Sequence, residues 1–382
     1  MRIISFFLIL TSIILNSCKN NPCEISKPPV ISVNINNVTE DASLFFDGWS
    51  YVALETTNDN VINNIDRLSM SGSNIIIASD DNIHIFTRDG KAVNSFNRKG
   101  AGPEEYLTIS DMKLYNDMVW IVSISNSKIY VYNFEGQCED VYDLPHPYHD
   151  MTFLASNEMV LSAGQSTSSQ YEFVIYNLTQ RCVTKKMLPY EINGSLGVWD
   201  FNPFIAASHD CVYGIQKFDY TIYRITENQS TPFLQYEFNT SERLDNLSGL
   251  SLNEKFEKTT GKAIVRYLGL AEFGEKETVQ AFNMFTEGYG LNTYIYRYTQ
   301  DHSKGNLLNC GVKRKDGFPF LNNFPRAFFE GNYVNALIPL QIKIIEEQIE
   351  DYSFSKSIGL TDESNPVLFF HHFRSLDLGI QP

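Results

Sequence analysis

The 382-residue sequence predicts an all-β chain, a six-bladed β-propeller of four-stranded antiparallel blades with helical insertions in the later blades. A run of apolar and aromatic residues ending in a turn signal recurs at about 45 residues, the period of a propeller blade. Further apolar runs lie between the copies, so that each period holds about four strands. The composition, 43% hydrophobic and 20% charged, is typical of a folded globular chain.

One aromatic residue locates each copy of the repeated run. These residues follow one another at intervals of 46, 44, 47 and 73: Phe86, Tyr132, Tyr176, Tyr223 and Tyr296. A weaker sixth copy lies at Val367 to Phe373. Branched and aromatic side chains suit a partly buried strand, and Asp89-Gly90 supplies the positive φ of a tight hairpin turn. Six hairpin-based repeats therefore predict six blades closed into a ring.

The two longest intervals contain stretches whose apolar residues recur at helical spacing. We predict one helical insertion at about 241–277, around the sequence LNEKFEKTTGKAIVRYLGLAEF, and a second at about 340–358. The propeller then occupies residues 43–382 as one domain. The strand at Ser50 to Leu54 has no blade before it, so we expect it to pair with the last strand and close the ring.

The N-terminus predicts export. Arg2 precedes an apolar run of about 13 residues, too short to span a bilayer and typical of a signal peptide. The run ends at Leu15-Asn16-Ser17-Cys18, which resembles a bacterial lipobox. We predict a lipoprotein signal peptide at 1–17, lipidation of Cys18 and a polar tether at 18–42, which would hold the domain at the cell envelope, at the outer membrane. The alternative is an ordinary signal peptide followed by an unmodified cysteine.

Charge and cysteine spacing limit the partners. The chain carries a net charge of −15, which disfavours nucleic acid because binding to phosphate backbones depends on lysine and arginine. The cysteines other than Cys18 are widely and irregularly spaced, and the sequence contains no CxxC pair. Neither a disulfide framework nor a thiolate metal site is predicted.

The loop from Gly100 to Tyr106 is the candidate ligand site with the most suggestive chemistry. Its glycines allow close approach of a ligand, and charges of both signs surround it. An exposed tryptophan could add a stacking platform for a sugar. The candidate ligand-binding residues are Arg98, Glu104, Glu105, Tyr106, Asp111 and Trp199. The alternative is a blade-to-blade connector whose charged groups bind the backbone and one another.

The sequence assigns no catalytic residue, no metal ligand and no cofactor. It contains no GxSxG, HExxH or DxDxDG motif. Calcium could bind the clusters Asn58-Asp59-Asn60 and Asp80-Asp81-Asn82, although such clusters are also ordinary turn residues.

Three stretches carry a resemblance to a known family. Tyr51 to Thr57 (YVALETT), Arg88 to Lys91 (RDGK) and Arg98 to Tyr106 (RKGAGPEEY) resemble the six-bladed β-propeller lipoproteins of Bacteroides-type bacteria, which are related in layout to NHL-repeat propellers. Glu104 stands where that family usually has a third glycine. The resemblance is clearest over residues 50–145 and implies a propeller fold and an envelope location, but no activity.

Two functions remain open at this point. The first is a noncatalytic, envelope-anchored propeller that binds a protein or glycan partner through its top face or its central channel. The alternative is an NHL-like metal-dependent lactonase or lyase with metal and carboxylates in the channel. Inward-facing polar ligands at matching positions of the blades would favour the enzyme, but the repeated runs carry varied residues instead.

Overall fold

The structure is a computed structural model, and it describes most of the chain after residue 26. The described part is residues 27–374 apart from 156, 165–168, 190–201, 209, 217–218, 241–242, 244–249, 252–253, 255–256, 259–261, 286–290, 302–304, 312–316, 323–324 and 350–351. Cys18 and Trp199 lie outside the described residues.

The six predicted blades are present, each with four antiparallel strands. Three strands come before the first complete blade: β1 (Val30–Val33), β2 (Val38–Thr39) and β3 (Phe46–Ala53). Blade 1 contains β4 (Arg67–Met70), β5 (Asn74–Ser79), β6 (Asn82–Thr87) and β7 (Ala92–Phe96). Blade 2 contains β8 (Asp111–Tyr115), β9 (Met118–Ser123), β10 (Lys128–Tyr132) and β11 (Cys138–Asp143). Blade 3 contains β12 (Asp150–Ala155), β13 (Glu158–Ser162), β14 (Tyr171–Asn177) and β15 (Cys182–Pro189).

The later blades follow the same plan. Blade 4 contains β16 (Phe204–Ser208), β17 (Cys211–Ile215), β18 (Thr221–Ile225) and β19 (Ser230–Phe238). Blade 5 contains β20 (Ile264–Phe273), β21 (Glu277–Phe285), β22 (Leu291–Thr299) and β23 (Gly305–Asn309). Blade 6 takes its first three strands from the end of the chain: β24 (Pro325–Phe329), β25 (Asn332–Leu337) and β26 (Val367–Phe373).

The ring closes as predicted. Strand β3 completes blade 6 by pairing antiparallel with β26, with Val367 opposite Ala53 and Phe370 opposite Ser50. The first long strand and the last strand of the chain therefore share one sheet. The hairpin turn at Gly90 packs against this closure, because Glu55 N donates to Gly90 O at 2.8 Å.

The hydrophobic core lies between the blades. Ile85 of blade 1 and Tyr130 of blade 2 belong to one buried cluster, and Phe86 of blade 1 and Phe370 of blade 6 belong to another. Further clusters lie between blades 2 and 3, 3 and 4, 4 and 5, and 5 and 6. Each sheet thus buries its two faces against its neighbours, which is how a ring of small sheets obtains a continuous core.

The tether was predicted to extend to residue 42, which is too far, because folded structure begins at Val30. Strand β1 adds a fifth, parallel strand to blade 4 beside β19, and β2 adds a fifth, parallel strand to blade 5 beside β23. Ile31 and Val33 are each only 2% exposed. Apolar residues alternate with polar ones here, so the segment looks polar on average while one face of the strand is buried.

The predicted helical insertion at 241–277 is wrong for residues 264–273, whereas the described residues Glu254, Glu257 and Lys258 in its first half are helical. Residues Ile264–Phe273 form β20, paired antiparallel with β21. The register shifts twice along this pair, and each bulge changes the phase of alternation. The buried residues Val265, Leu268 and Ala271 consequently recur every three positions, a spacing that resembles a helical face. Much of 241–261 lies outside the described residues.

The second predicted insertion is helical. Between β25 and β26 lie two short helices, α1 (Pro339–Glu346) and α2 (Phe354–Ser357). Glu346 joins them, because its carboxylate accepts hydrogen bonds from Ser355 N and Oγ. None of the helices in the described ranges has the length and apolar character needed to cross a membrane.

Candidate functional site

A polar cavity opens into the central channel. The first strand of each blade contacts the first strand of the next, so that β4, β8, β12, β16, β20 and β24 form a ring around the channel axis. The cavity has a volume of about 220 Å³ and takes lining residues from all six blades. Because these residues are distant in sequence, only the closed ring assembles the site.

Most of the lining residues lie where an innermost strand begins. In five blades the lining includes one of the first two residues of that strand or a residue just before it, while in blade 5 it comes from the middle of β20 and from β21. Charged and polar lining residues are Asp66, Arg67, Asp111, Lys113, Asp150, Asn202, Tyr267, Asn283 and Arg326. Polar groups are thus concentrated around one level of the channel.

Asp111 joins blade 2 to blade 3. Its carboxylate is only 4% exposed, and Oδ1 accepts a hydrogen bond from Lys113 Nζ at 3.0 Å. Its other oxygen, Oδ2, accepts from Met151 N at 3.0 Å, which brings Asp111 next to the residue that follows Asp150. The charge of Asp111 is therefore compensated by a cation and by a backbone donor.

Arg67 joins blade 1 to blade 2. Its Nε donates to Ser110 O and its Nη1 to Asp66 O, both at 2.9 Å. The Asp66 carboxylate accepts from Asn64 Nδ2 at 2.7 Å and from Asp80 N at 3.0 Å. These bonds hold a guanidinium beside the cavity in a fixed position.

Asp150, the first residue of β12, is the most perturbed carboxyl of the site. Enclosure by protein raises the pKa of Asp150 well above its usual value, and the negative charge of Asp111 raises it further. Lys113 and Arg67 act in the opposite direction, and Glu172 adds to the increase. Asp150 therefore keeps its proton to a higher pH than an exposed aspartate, and while protonated it can donate a hydrogen bond into the cavity.

The side of the cavity formed by blades 4 and 5 is less charged. Tyr267 contributes an aromatic ring, and Asn202 and Asn283 contribute amides, whereas the ring of Phe204 packs against Phe173 in the core between blades 3 and 4. Asn283 lies opposite Tyr267 in the β20–β21 pair, and its Oδ1 accepts from Thr293 Oγ1 at 2.7 Å. The cavity thus combines a charged side with a side that has one aromatic ring and amides.

The loop singled out in the sequence lies in the connection from blade 1 to blade 2, and its polar groups are bonded within the protein. Arg98 Nε donates to Gly136 O at 2.7 Å, and Gly102 N donates to Glu105 Oε2 at 2.8 Å. The hydroxyl of Tyr106 donates to Asp81 O at 2.7 Å, and burial raises the pKa of Tyr106 to about 12. These contacts are the ones expected of a blade-to-blade connector, the alternative given in the sequence analysis. Ligand binding by this loop stays a prediction.

Glu104 and Asp111, which were also predicted to bind a ligand, lie in different parts of the structure. The backbone carbonyl of Glu104 accepts a hydrogen bond from Tyr132 Oη at 2.7 Å, within the same connection. Among the predicted ligand-binding residues that the structure describes, Asp111 alone lines the cavity. Sequence reasoning missed the rest of the charged lining, namely Asp66, Arg67, Lys113, Asp150 and Arg326. The available signal was a charged residue at or next to the start of an innermost strand, present in blades 1, 2, 3 and 6.

The arrangement is suited to binding a small polar molecule. It offers guanidinium and ammonium donors, a carboxyl that can hold its proton, amides and an aromatic ring. Within the described residues, no three histidine, cysteine, aspartate or glutamate side chains lie close enough to hold a metal ion.

Comparisons with known proteins give one family and several similar folds. A family model described as "Domain of unknown function (DUF4934)" matches residues 28–372. A Bacteroides fragilis protein named as exported has a similar structure, with a TM-score of 0.71 and 18% identity over 91% of this chain and 100% of its own. A DUF4221 member from Bacteroides vulgatus has a TM-score of 0.51 and 8% identity over 86% of this chain and 97% of its own. A comparison with curated proteins gave no match.

Proposed function

The chain belongs to the DUF4934 family, a domain of unknown function, and from this premise we propose that it is an envelope-anchored propeller that binds a glycan in its central channel without catalysing a reaction. One observation carries the proposal: a polar cavity of about 220 Å³ assembled from all six blades. Pockets for drug-sized ligands usually exceed roughly 300 Å³, so the occupant is smaller, about the size of one sugar unit.

Sugar recognition explains the mixture of groups in the cavity. A pyranose ring presents hydroxyls to hydrogen-bonding groups and an apolar face to an aromatic ring. The carboxyl of Asp150 and the cations beside it serve the hydroxyls, while Tyr267 offers an aromatic ring. Since each blade contributes, binding would also hold the six blades together.

The envelope location rests on the N-terminus and on a structural neighbour. The sequence Leu15 to Cys18 resembles a lipobox, and the similar Bacteroides fragilis protein is named as exported. We expect Cys18 to carry the lipid that anchors the protein in the outer membrane. Cell fractionation tests this: wild type should be found with the membranes, and the Cys18→Ser variant should be released from them. Equal membrane association of both proteins would contradict a lipid anchor at Cys18.

Isothermal titration calorimetry of the full chain in detergent, against monosaccharides and short oligosaccharides, tests glycan binding. Lys113→Met removes the channel member of a lysine–aspartate pair, and Lys128→Met removes a matched pair with Asp143 on the outside of blade 2. We expect binding to weaken for Lys113→Met only. Recovered sugar should be chemically unchanged. The proposal fails if no sugar binds, or if both variants bind as wild type does, and the noncatalytic part fails if the sugar is converted.

A further inference from the structure

We infer that the channel selects a sugar unit that bears a carboxylate, as a uronic acid does. This inference rests on the proposed function and specifies its ligand. Two observations support it: the charges that line the cavity, and the less charged lining contributed by blades 4 and 5.

The lining has as many cationic as acidic side chains. The cations are Arg67, Lys113 and Arg326, and the acids are Asp66, Asp111 and Asp150. This balance contrasts with the whole chain, in which acidic residues outnumber basic ones by 15. The channel lining is therefore less acidic than the chain as a whole.

Two of the three acids already have donors of their own. Asp111 accepts from Lys113 Nζ and from Met151 N, and Asp66 accepts from Asn64 and from Asp80 N. A carboxylate with two donors exerts less repulsion on a second anion than an uncompensated one.

The third acid, Asp150, does not oppose an anion while it is protonated. The charged groups around it are Asp111 and Lys113 on β8, Arg67 on β4 and Glu172 on β14. Enclosure and the two acids raise the pKa of Asp150 and the two cations lower it, and the net shift is well upward. With Asp150 neutral, the lining carries one positive charge in excess. The protonated carboxyl is then a donor that can bind an anionic oxygen.

The remaining lining fits the rest of such a ligand. A carboxylate alone would need only the cations, whereas the ring of Tyr267 and the amides of Asn202 and Asn283 lie on the side of blades 4 and 5. An aromatic ring and amides match the apolar face and the hydroxyls of a pyranose. One molecule that uses both sides of the cavity is a sugar acid.

The test compares matched acidic and neutral sugars by calorimetry with the full chain. We expect galacturonate and glucuronate to bind at least about tenfold more tightly than galactose and glucose, the factor that one charge-assisted contact provides. Lys113→Met should remove that preference and Lys128→Met should keep it. A linear trigalacturonide alongside the monomer distinguishes a polymer from a free sugar acid as the source.

Two measurements guard against a variant that folds badly. Added salt should weaken wild-type binding of the acids and leave that of neutral sugars unchanged. Raising the pH through the titration of Asp150 should weaken acid binding to wild type more than to Asp150→Asn, which stays neutral. Neutral sugars that bind as tightly as the acids would overturn the inference and leave the proposed function standing. If no sugar binds, both are wrong.

Discussion

Replacing Asp150 by asparagine should stabilise the protein increasingly as the pH rises. Asparagine keeps the shape of the side chain but cannot ionise. In wild type, the enclosed carboxyl keeps its proton to a higher pH in the folded state than in the unfolded chain, because its pKa is raised well above the usual value by enclosure and by Asp111. The unfolded chain releases that proton at about pH 3.9.

The size of the effect follows from proton linkage. Between about pH 3.9 and the raised pKa of the folded state, the folded protein binds one proton more than the unfolded chain. Wild type therefore loses up to about 1.4 kcal/mol of unfolding free energy for each pH unit of increase. The variant has no such loss at this position, so its advantage over wild type grows across that window and becomes constant above the folded pKa.

Urea denaturation of both proteins at half-unit steps from about pH 4.5 to about pH 8 measures this difference. Asp143→Asn, at a carboxyl whose side chain is 86% exposed on β11, is the control for removing one negative charge. If the difference between Asp150→Asn and wild type is constant over the whole range, or falls with pH, then Asp150 is ionised in the folded state and the account of the site is wrong.

Three further predictions concern the fold and are read from thermal and urea unfolding. Gly90→Ala should lower the free energy of unfolding by about 3 kcal/mol, because Gly90 has a φ of +90° and a Cβ there would lie 2.4 Å from a carbonyl oxygen of β3. The control is Gly72→Ala, because the space around Gly72 is open. Equal stability of the two variants would contradict the closure contact. Deletion of residues 365–382 removes the strand between β25 and β3 and should unfold the domain; an unchanged melting temperature would refute the closure scheme. Ile31→Ala should lower the free energy of unfolding by about 2 to 4 kcal/mol, because Ile31 is buried. Val30 is 45% exposed, so Val30→Ala should lower it by less than about 0.5 kcal/mol. Equal small effects would mean that β1 does not stabilise blade 4.

The fold could be predicted because each blade repeats the same local signal. An aromatic strand followed by a turn with positive φ is encoded within a few residues, and its spacing counts the blades. Strand β20 was misread for the same reason, since its bulges change the spacing of buried residues from two to three. Strands β1 and β2 were missed because their partners, β19 and β23, lie about 200 residues or more away in the sequence.

The channel site was largely hidden from the sequence. Arg67, Asp111, Asp150 and Arg326 belong to four different blades, and none stands in a recognisable motif. Their proximity is a property of the closed ring. The glycine-rich loop had the stronger local signal, yet the hydrogen-bond partners of Arg98 and Tyr106 include groups of the neighbouring hairpins.

The N-terminal segment has a mechanical consequence. Strand β1 is attached to blade 4, β2 to blade 5 and β3 to blade 6, so that some twenty-five residues of chain run along three successive blades before the first hairpin begins. Tension applied at the N-terminus would load the hydrogen bonds of β1 first, then those of β2, and only afterwards the seam between β3 and β26. A pull from that end would therefore be resisted in stages, and the ring would be the last part to open.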